Sequence, residues 1–142
     1  MGMPREAYSE ILRRQGRRSG GGGEVLRSRS EADEQAEVMQ WLRLKYPDVP
    51  VFVSCQGMKV SAAAAMKLKR LGYQAGSPDF FIVAPRGKWH GFFCEMKRSK
   101  GGHTQDNQTA WLNKAEAQGY FTAVCAGADN AEFVIQKYMD LK

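Results

Sequence analysis

The sequence has few of the residues that build disulfide or zinc sites. Only three of its 142 residues are cysteines, Cys55, Cys94 and Cys125, and none belongs to a Cys-x-x-Cys pair. An odd cysteine count without this spacing argues against a disulfide framework and against a structural zinc site. Each cysteine lies in an apolar run, so we expect reduced, buried thiols in an intracellular protein. The two histidines are far apart in the sequence, which disfavours a histidine-based metal or nucleophile site.

Long apolar runs are also missing. No stretch approaches the roughly 18 consecutive apolar residues of a membrane-spanning helix. The first thirty residues carry seven arginines and no apolar stretch, unlike a secretory signal. These absences predict a soluble, cytoplasmic protein without a membrane partner.

Positive charge is present in excess and is concentrated near the amino terminus. The chain has 21 lysines and arginines against 15 aspartates and glutamates, and residues 1–30 hold four of the six net charges. The glycine run Gly20–Gly23 lies in the same stretch. We therefore predict a basic, flexible arm over residues 1–29 and one folded domain over residues 30–142. The arm either binds nucleic acid or a partner subunit, or is only a disordered extension.

Local patterns predict four helices and four strands in the order α-β-α-β-β-α-β-α. Ser30 and Asp33 indicate the start of the first helix. Its apolar stripe would include Ala32, Ala36, Met39 and Leu42–Leu44. Asp129 would cap the last helix. Because strands and helices interleave, the predicted fold class is α/β, with a small mixed sheet flanked by helices on both faces. The helices are predicted over residues 30–46, 60–71, 104–118 and from 129 onward, and the strands over residues 51–54, 80–84, 91–97 and 120–125.

Two of these strands form a predicted hairpin that brings charged side chains together. If its turn centres on Gly87, Asp79 lies opposite Glu95, and Lys97 shares their face of the sheet. Two carboxylates about 4 Å apart repel each other by roughly 4 kcal/mol at an effective dielectric near 20. A divalent cation such as Mg²⁺ would cancel this repulsion, with the Met96 carbonyl as a candidate further ligand. A structural salt bridge to Lys97 is the alternative.

Several short motifs occur in a specific order, beginning on the first helix. They are Glu34-Gln35, Leu68-Lys-Arg-Leu-Gly72, Gly76-Ser-Pro-Asp79, Glu95-Met-Lys97, Gly101-Gly102, Gln108 with Trp111-Leu112, and Gly119-Tyr120 before a strand. Together they resemble the VRR-NUC family of the PD-(D/E)XK nuclease superfamily, from about Glu31 to Tyr138. The resemblance implies a restriction-endonuclease-like core. One departure is Gln56-Gly57, where the family often has Asn-Gly.

The resemblance implies roles for the hairpin residues. Asp79 and Glu95 would bind Mg²⁺ or Mn²⁺, with the Met96 carbonyl as a further ligand. Lys97 would orient or deprotonate the attacking water and stabilise the charge that develops on the phosphate.

Two helices would add further site residues. Gln108 is implied as the helix glutamine that faces the site, and it begins an apolar stripe with Trp111, Leu112 and Ala115. Glu34 is implied to reach the site from the first helix, as a third acid or through a metal-bound water. Glu31, Asp33 and Glu37 compete with Glu34 for that role.

The implied function is that of a metal-dependent DNA endonuclease, selective for branched or junction DNA such as a Holliday junction, acting as a homodimer. Two alternatives stay open. One is a DNA-binding or interaction protein of the same fold that does not cut, against which the intact Asp79, Glu95 and Lys97 argue. The other is an RNA nuclease. Nearby, Arg98, Lys100 and His103 either contact phosphate or belong to a solvated loop.

Overall fold

The computed structural model describes residues 29–55 and 57–142. The predicted arm lies outside these ranges except for Arg29, and so does Gln56. No helix within the described ranges is long and apolar enough to cross a membrane. The helices are α1 (Glu31–Lys45), α2 (Ala62–Arg70), α3 (Asp106–Ala117) and α4 (Ala128–Met139), and the strands are β1 (Val51–Val53), β2 (Phe80–Ile82), β3 (Phe92–Lys97) and β4 (Phe121–Ala126). Their order confirms the predicted α/β fold class.

The four strands form one mixed sheet in the order β1-β2-β3-β4. The first three strands are antiparallel, and β3 pairs with β4 in parallel after the crossover through α3. Phe81 pairs with Phe93 and Ile82 with Phe92, which is the register predicted from a turn at Gly87. The sheet therefore carries the charged residues at the end of the hairpin that lies away from its turn.

One face of the sheet forms the main hydrophobic core. Phe80, Ile82, Phe92, Cys94 and Met96 are fully buried on this face, together with side chains of α1 and α4. The Tyr138 hydroxyl of α4 donates to the Ala84 carbonyl at 2.6 Å, and burial raises the pKa of Tyr138 to about 12. Cys94 and Cys125 are buried free thiols as predicted, whereas Cys55 is only half-buried.

Aromatic side chains cover the other face. The rings of Phe81 and Phe93 stack with centroids 4.2 Å apart, and Trp111 of α3 meets Phe93 edge-on at 4.9 Å. Tyr120 packs against both phenylalanines. Helices therefore lie on both faces, with α1 and α4 on one side and α3 on the other, as the sequence predicts.

The predicted apolar stripe of α1 is wrong at Ala32, Ala36 and Leu44, whereas Met39 and Leu42 do pack in the core as predicted. Ala32 and Ala36 are exposed, while the buried stripe runs through Glu34, Val38 and Leu42. The predicted helix start is confirmed, since the Ser30 side chain accepts from the Asp33 N–H and Asp33 bonds back to Ser30. The buried side of the first two turns could not be predicted from apolar residues, because its first buried residue is the charged Glu34.

The predicted Asp129 cap of the last helix is also wrong. α4 begins at Ala128, and its N-cap is Gly127 with a positive φ of 85°. The Gly127 N–H still donates to the Lys97 carbonyl at 2.9 Å, so the ladder between β3 and β4 continues to the start of the helix. Asp129 therefore lies inside the first turn of α4, two positions after its N-cap.

Candidate active site

A cavity of about 380 Å³ opens beside the end of the β2–β3 hairpin. Of the five side chains predicted for the site, four line it: Asp79, Glu95, Lys97 and Gln108. All four are largely buried, with exposed fractions between 1% and 9%. Buried charges in a folded protein need partners, so the contacts of each residue decide what the cluster can do.

Asp79 lies one residue before β2 and is held from both strands beside it. Its backbone carbonyl accepts from the Ser54 N–H at 2.8 Å, and its Oδ2 accepts from the Met96 N–H of β3 at 2.7 Å. The preceding Pro78 cannot donate a backbone hydrogen bond. Burial raises the pKa of Asp79, and the Met96 N–H opposes that shift. Asp79 is therefore fixed in place by the backbone, with its charged form disfavoured in the metal-free protein.

Glu95 is the most deeply buried acid of the cluster, with 1% of its surface exposed. Its Oε1 accepts from the Lys97 ammonium at 2.5 Å and from the Gln108 amide. Its Oε2 is buried and has no hydrogen-bond partner among the residues that the structure describes. Burial raises the pKa of Glu95 to about 7, with the Lys97 hydrogen bond opposing the shift and the charge of Asp79 adding to it. The other half of this carboxylate therefore lacks a donor when Asp79 and Glu95 are both ionised, because a hydrogen bond between the two carboxyl groups needs a shared proton.

Lys97 and Gln108 both hold the other half of the carboxylate. Lys97 forms the structural ion pair that the sequence left open as an alternative, but this pair involves Oε1 and not Oε2. The Gln108 side chain also accepts from the Gln105 N–H at 3.0 Å, which anchors its amide to the first turn of α3. α3 thus helps to fix the orientation of Glu95 through Gln108. The ion pair with Lys97 leaves Oε2 of Glu95 without a hydrogen bond.

The donor set fits a hard divalent cation. Asp79 and Glu95 supply carboxylate oxygens, and one of these, Oε2 of Glu95, is a buried anionic oxygen that a cation would satisfy. The N–H and C=O of a strand residue point to the same side. Because the Met96 N–H meets Asp79, its carbonyl is directed to that side too, whereas the Lys97 carbonyl bonds Gly127 beyond β4.

The protein would supply only part of such a coordination shell. The described residues include no group of three His, Cys, Asp or Glu side chains that could hold a metal ion. Two carboxylates and one carbonyl leave positions for water and for a phosphate oxygen, which is how Mg²⁺ is commonly bound.

The structure does not bring Glu34 to the cavity. Glu34 is 5% exposed, and its carboxylate lies against Gly127, where a Cβ would be 3.4 Å from Oε1. Its Oε2 has no partner among the described residues. Glu31, one turn earlier on α1, lines the cavity, and its charge raises the pKa of both Asp79 and Glu95. From the sequence, Glu31 was only one of three acids that competed with Glu34 for this role. The resemblance does not fix which side chains of α1 face the site.

Comparisons with known proteins identify the family. The model of the VRR-NUC domain family matches residues 24–129, a range that contains all the cavity residues named above. A solved structure described as a VRR_NUC domain protein is 31% identical with a TM-score of 0.70, and the match covers 82% of this chain and 93% of that one. A search of curated proteins finds no match. The chain belongs to the VRR-NUC domain family and thereby to the nuclease superfamily that contains it.

Proposed function

We propose that this chain is a metal-dependent DNA endonuclease. The observation that supports it best is the buried, unpartnered Oε2 of Glu95, beside the carboxylate of Asp79 in an open cavity. An ionised oxygen buried without a donor is costly to desolvate, and the ion pair between Lys97 and Oε1 does not satisfy Oε2. A site that receives a cation and a phosphate accounts for that oxygen.

The chain's own residues would divide the work of hydrolysis. Asp79, Glu95 and the Met96 carbonyl would hold Mg²⁺ or Mn²⁺, and the bound ion would polarise the phosphate and lower the pKa of a bound water. Lys97 would donate to the attacking water and to the negative charge that develops on the phosphate. Gln108 would keep Glu95 in its orientation. Glu31 would place a third acid on the cavity wall, where it can hold a water.

A cleavage assay tests this proposal. Linear, flapped and four-way DNA, and RNA of matching sequence, are incubated with Mg²⁺, Mn²⁺ or EDTA. We expect cutting of DNA that requires the metal, prefers branched substrates and disappears in Lys97→Ala, while Lys100→Ala cuts like the parent protein. Binding without cutting under every metal condition would favour the non-cleaving alternative. Preferential cutting of RNA would favour the RNA nuclease.

We also propose that two copies assemble through the β1–α2 region. In the described part of the chain, six of the eight exposed large hydrophobic residues lie between residues 52 and 71, including Phe52, Met66 and Leu71. β1 is an edge strand, and α2 has no buried residue. Concentrated apolar exposure of this kind is typical of an interaction surface. A homodimer would present two active sites to two DNA strands.

Light scattering tests the dimer. We expect twice the monomer mass of 15.9 kDa for the parent protein, and a monomer for Met66→Glu. Leu44→Glu is the matched control, because Leu44 of α1 is 78% exposed but lies outside the β1–α2 region. A monomer mass for the parent protein across micromolar concentrations would contradict the proposal.

A further inference from the structure

Two basic side chains line the active-site cavity, and the proposed metal site uses neither. Arg98 directly follows β3, and His103 lies in the loop before α3. Lys100 lies between them in the sequence but does not line the cavity. Both Arg98 and His103 are exposed, as side chains that meet an incoming polyanion must be.

The backbone holds these two residues at the same wall. A Cβ on Gly102 would lie 2.8 Å from the Lys97 Cβ and 3.1 Å from the Arg98 nitrogen, closer than side chains normally approach. Only glycine lets the loop fold back this tightly onto the end of β3. His103, the next residue, is thereby brought to the cavity that Arg98 lines. The two residues therefore line the same wall of the cavity.

The charge of the cavity explains what this wall would attract. Three acids line it, Glu31, Asp79 and Glu95, against the two permanent cations Lys97 and Arg98. One divalent ion would change this balance from one net negative charge to one net positive charge.

The two cations are not equally available to a substrate. Lys97 is paired with Glu95, whereas no acid among the described residues pairs with Arg98. The donors of Arg98 are therefore available for a phosphate oxygen, which guanidinium binds in a bidentate fashion.

We infer that Arg98 and His103 form a phosphate-binding wall that holds the phosphodiester group next to the one that is cut. This inference rests on the proposed function, because it assigns Lys97 and the acids to the cleaved phosphate. Arg98 supplies the charge and a planar pair of donors, and His103 supplies a further ring N–H donor. The wall therefore orients the strand relative to Lys97 and contributes to affinity, without taking part in bond cleavage.

A binding experiment tests the wall independently of cutting. Affinity for a branched DNA is measured by fluorescence anisotropy in Ca²⁺ over a series of salt concentrations, for the parent protein, Arg98→Ala, His103→Ala and Lys100→Ala. We expect Arg98→Ala to weaken binding about tenfold. It should also flatten the plot of log K against log salt by about 0.9, the slope of one phosphate contact. Lys100→Ala removes the same charge from the same loop and should change both quantities much less.

Neutral phosphates then locate the contact. A methylphosphonate is placed at each position around the cut in turn. One position next to the cut should weaken binding by the parent protein, and it should have no further effect on Arg98→Ala. Equal effects of Arg98→Ala and Lys100→Ala, or the same methylphosphonate pattern in the parent protein and in Arg98→Ala, would overturn the inference. If the parent protein shows these contacts but cuts nothing, the nuclease proposal fails. Arg98 and His103 would then still be assigned as contacts to a DNA phosphate.

Discussion

Asp79 combines a backbone contact with the charge that a metal site needs, and two substitutions separate these roles. Asparagine keeps an acceptor for the Met96 N–H and removes the disfavoured charge. We expect metal-free Asp79→Asn to be at least as stable as the parent protein. Alanine leaves that buried N–H without a partner and should cost about 1–3 kcal/mol.

Both Asp79 variants should lose cleavage by orders of magnitude. Urea unfolding in EDTA, beside nicking assays, measures the two effects separately. If Asp79→Asn folds and still cuts like the parent protein, Asp79 is not a metal ligand.

Glu95 gives the metal-free protein a pH dependence whose sign follows from its burial. Burial raises its pKa from 4.5 to about 7, so the folded state favours the protonated form. The contribution of Glu95 to stability is fully present below the unfolded pKa and is lost as pH rises through about 7. Glutamine mimics the protonated form and does not titrate. Between about pH 5 and about pH 8, the parent protein should therefore lose roughly 2–3 kcal/mol relative to Glu95→Gln.

Urea unfolding of the two proteins in EDTA at both pH values measures this difference. Mg²⁺ added near pH 8 should stabilise the parent protein and leave Glu95→Gln unchanged. Parallel pH profiles of the two proteins would show that Glu95 is not destabilised by its surroundings.

At the scale of the elements, a close contact between two segments sets the distance from Asp79 to Gln108. Gly76, in the loop before Asp79, has a φ of 86°, and a Cβ there would lie 2.9 Å from the Asn107 backbone of α3. Gly76→Ala should therefore lose both stability and cleavage. Gly72→Ala is the matched control, because Gly72 also has a positive φ of 96° but nothing lies within 4 Å of a Cβ there. Unfolding and nicking assays measure both losses. Equal losses for the two variants would show that backbone strain at a positive φ explains the effect and that the contact with Asn107 does not contribute.

The hairpin could be predicted from sequence because its information is local. A turn at Gly87 and strict alternation are enough to place Asp79, Glu95 and Lys97 on one face and Phe81 opposite Phe93. Gln108 was predicted from the family resemblance, and its place on the stripe of Trp111 and Leu112 supported that prediction in part. Glu31 was not, because the buried stripe of α1 contains a glutamate, and only the packing of α1 against the sheet shows which acids face the cavity.

At the scale of the whole molecule, positive charge is concentrated in the amino-terminal part of the sequence. Residues 1–28 contain six arginines and three glutamates, half of the net charge of +6. Arg29, the first described residue, already pairs with Glu37 of α1, so a deletion should stop before it. We expect removal of residues 1–28 to leave the melting temperature nearly unchanged and to weaken DNA binding.

Every phosphate that the arm binds in the full-length chain should add about 0.9 to the salt dependence of log K, so the shortened chain should give a flatter plot. An unchanged slope would show that the arm does not touch DNA, and a large drop in stability would show that it packs on the domain. Calorimetry and anisotropy of the full-length and shortened chains measure both quantities.

The residues from Asp79 to Gln108 form a continuous stretch of the chain, joined by a short turn and one glycine loop. The loss of chain entropy on closing such short loops is small, so this cluster has a low contact order and can form early during folding. Glu31 and Gly57, which also line the cavity, come from more distant parts of the sequence. New termini made by circular permutation should therefore be tolerated ahead of Gly76, whereas termini placed within the hairpin turn should separate Asp79 from Glu95, the two acids proposed to bind the metal. Additional domains could likewise be joined at either end of the stretch without rebuilding its chemistry.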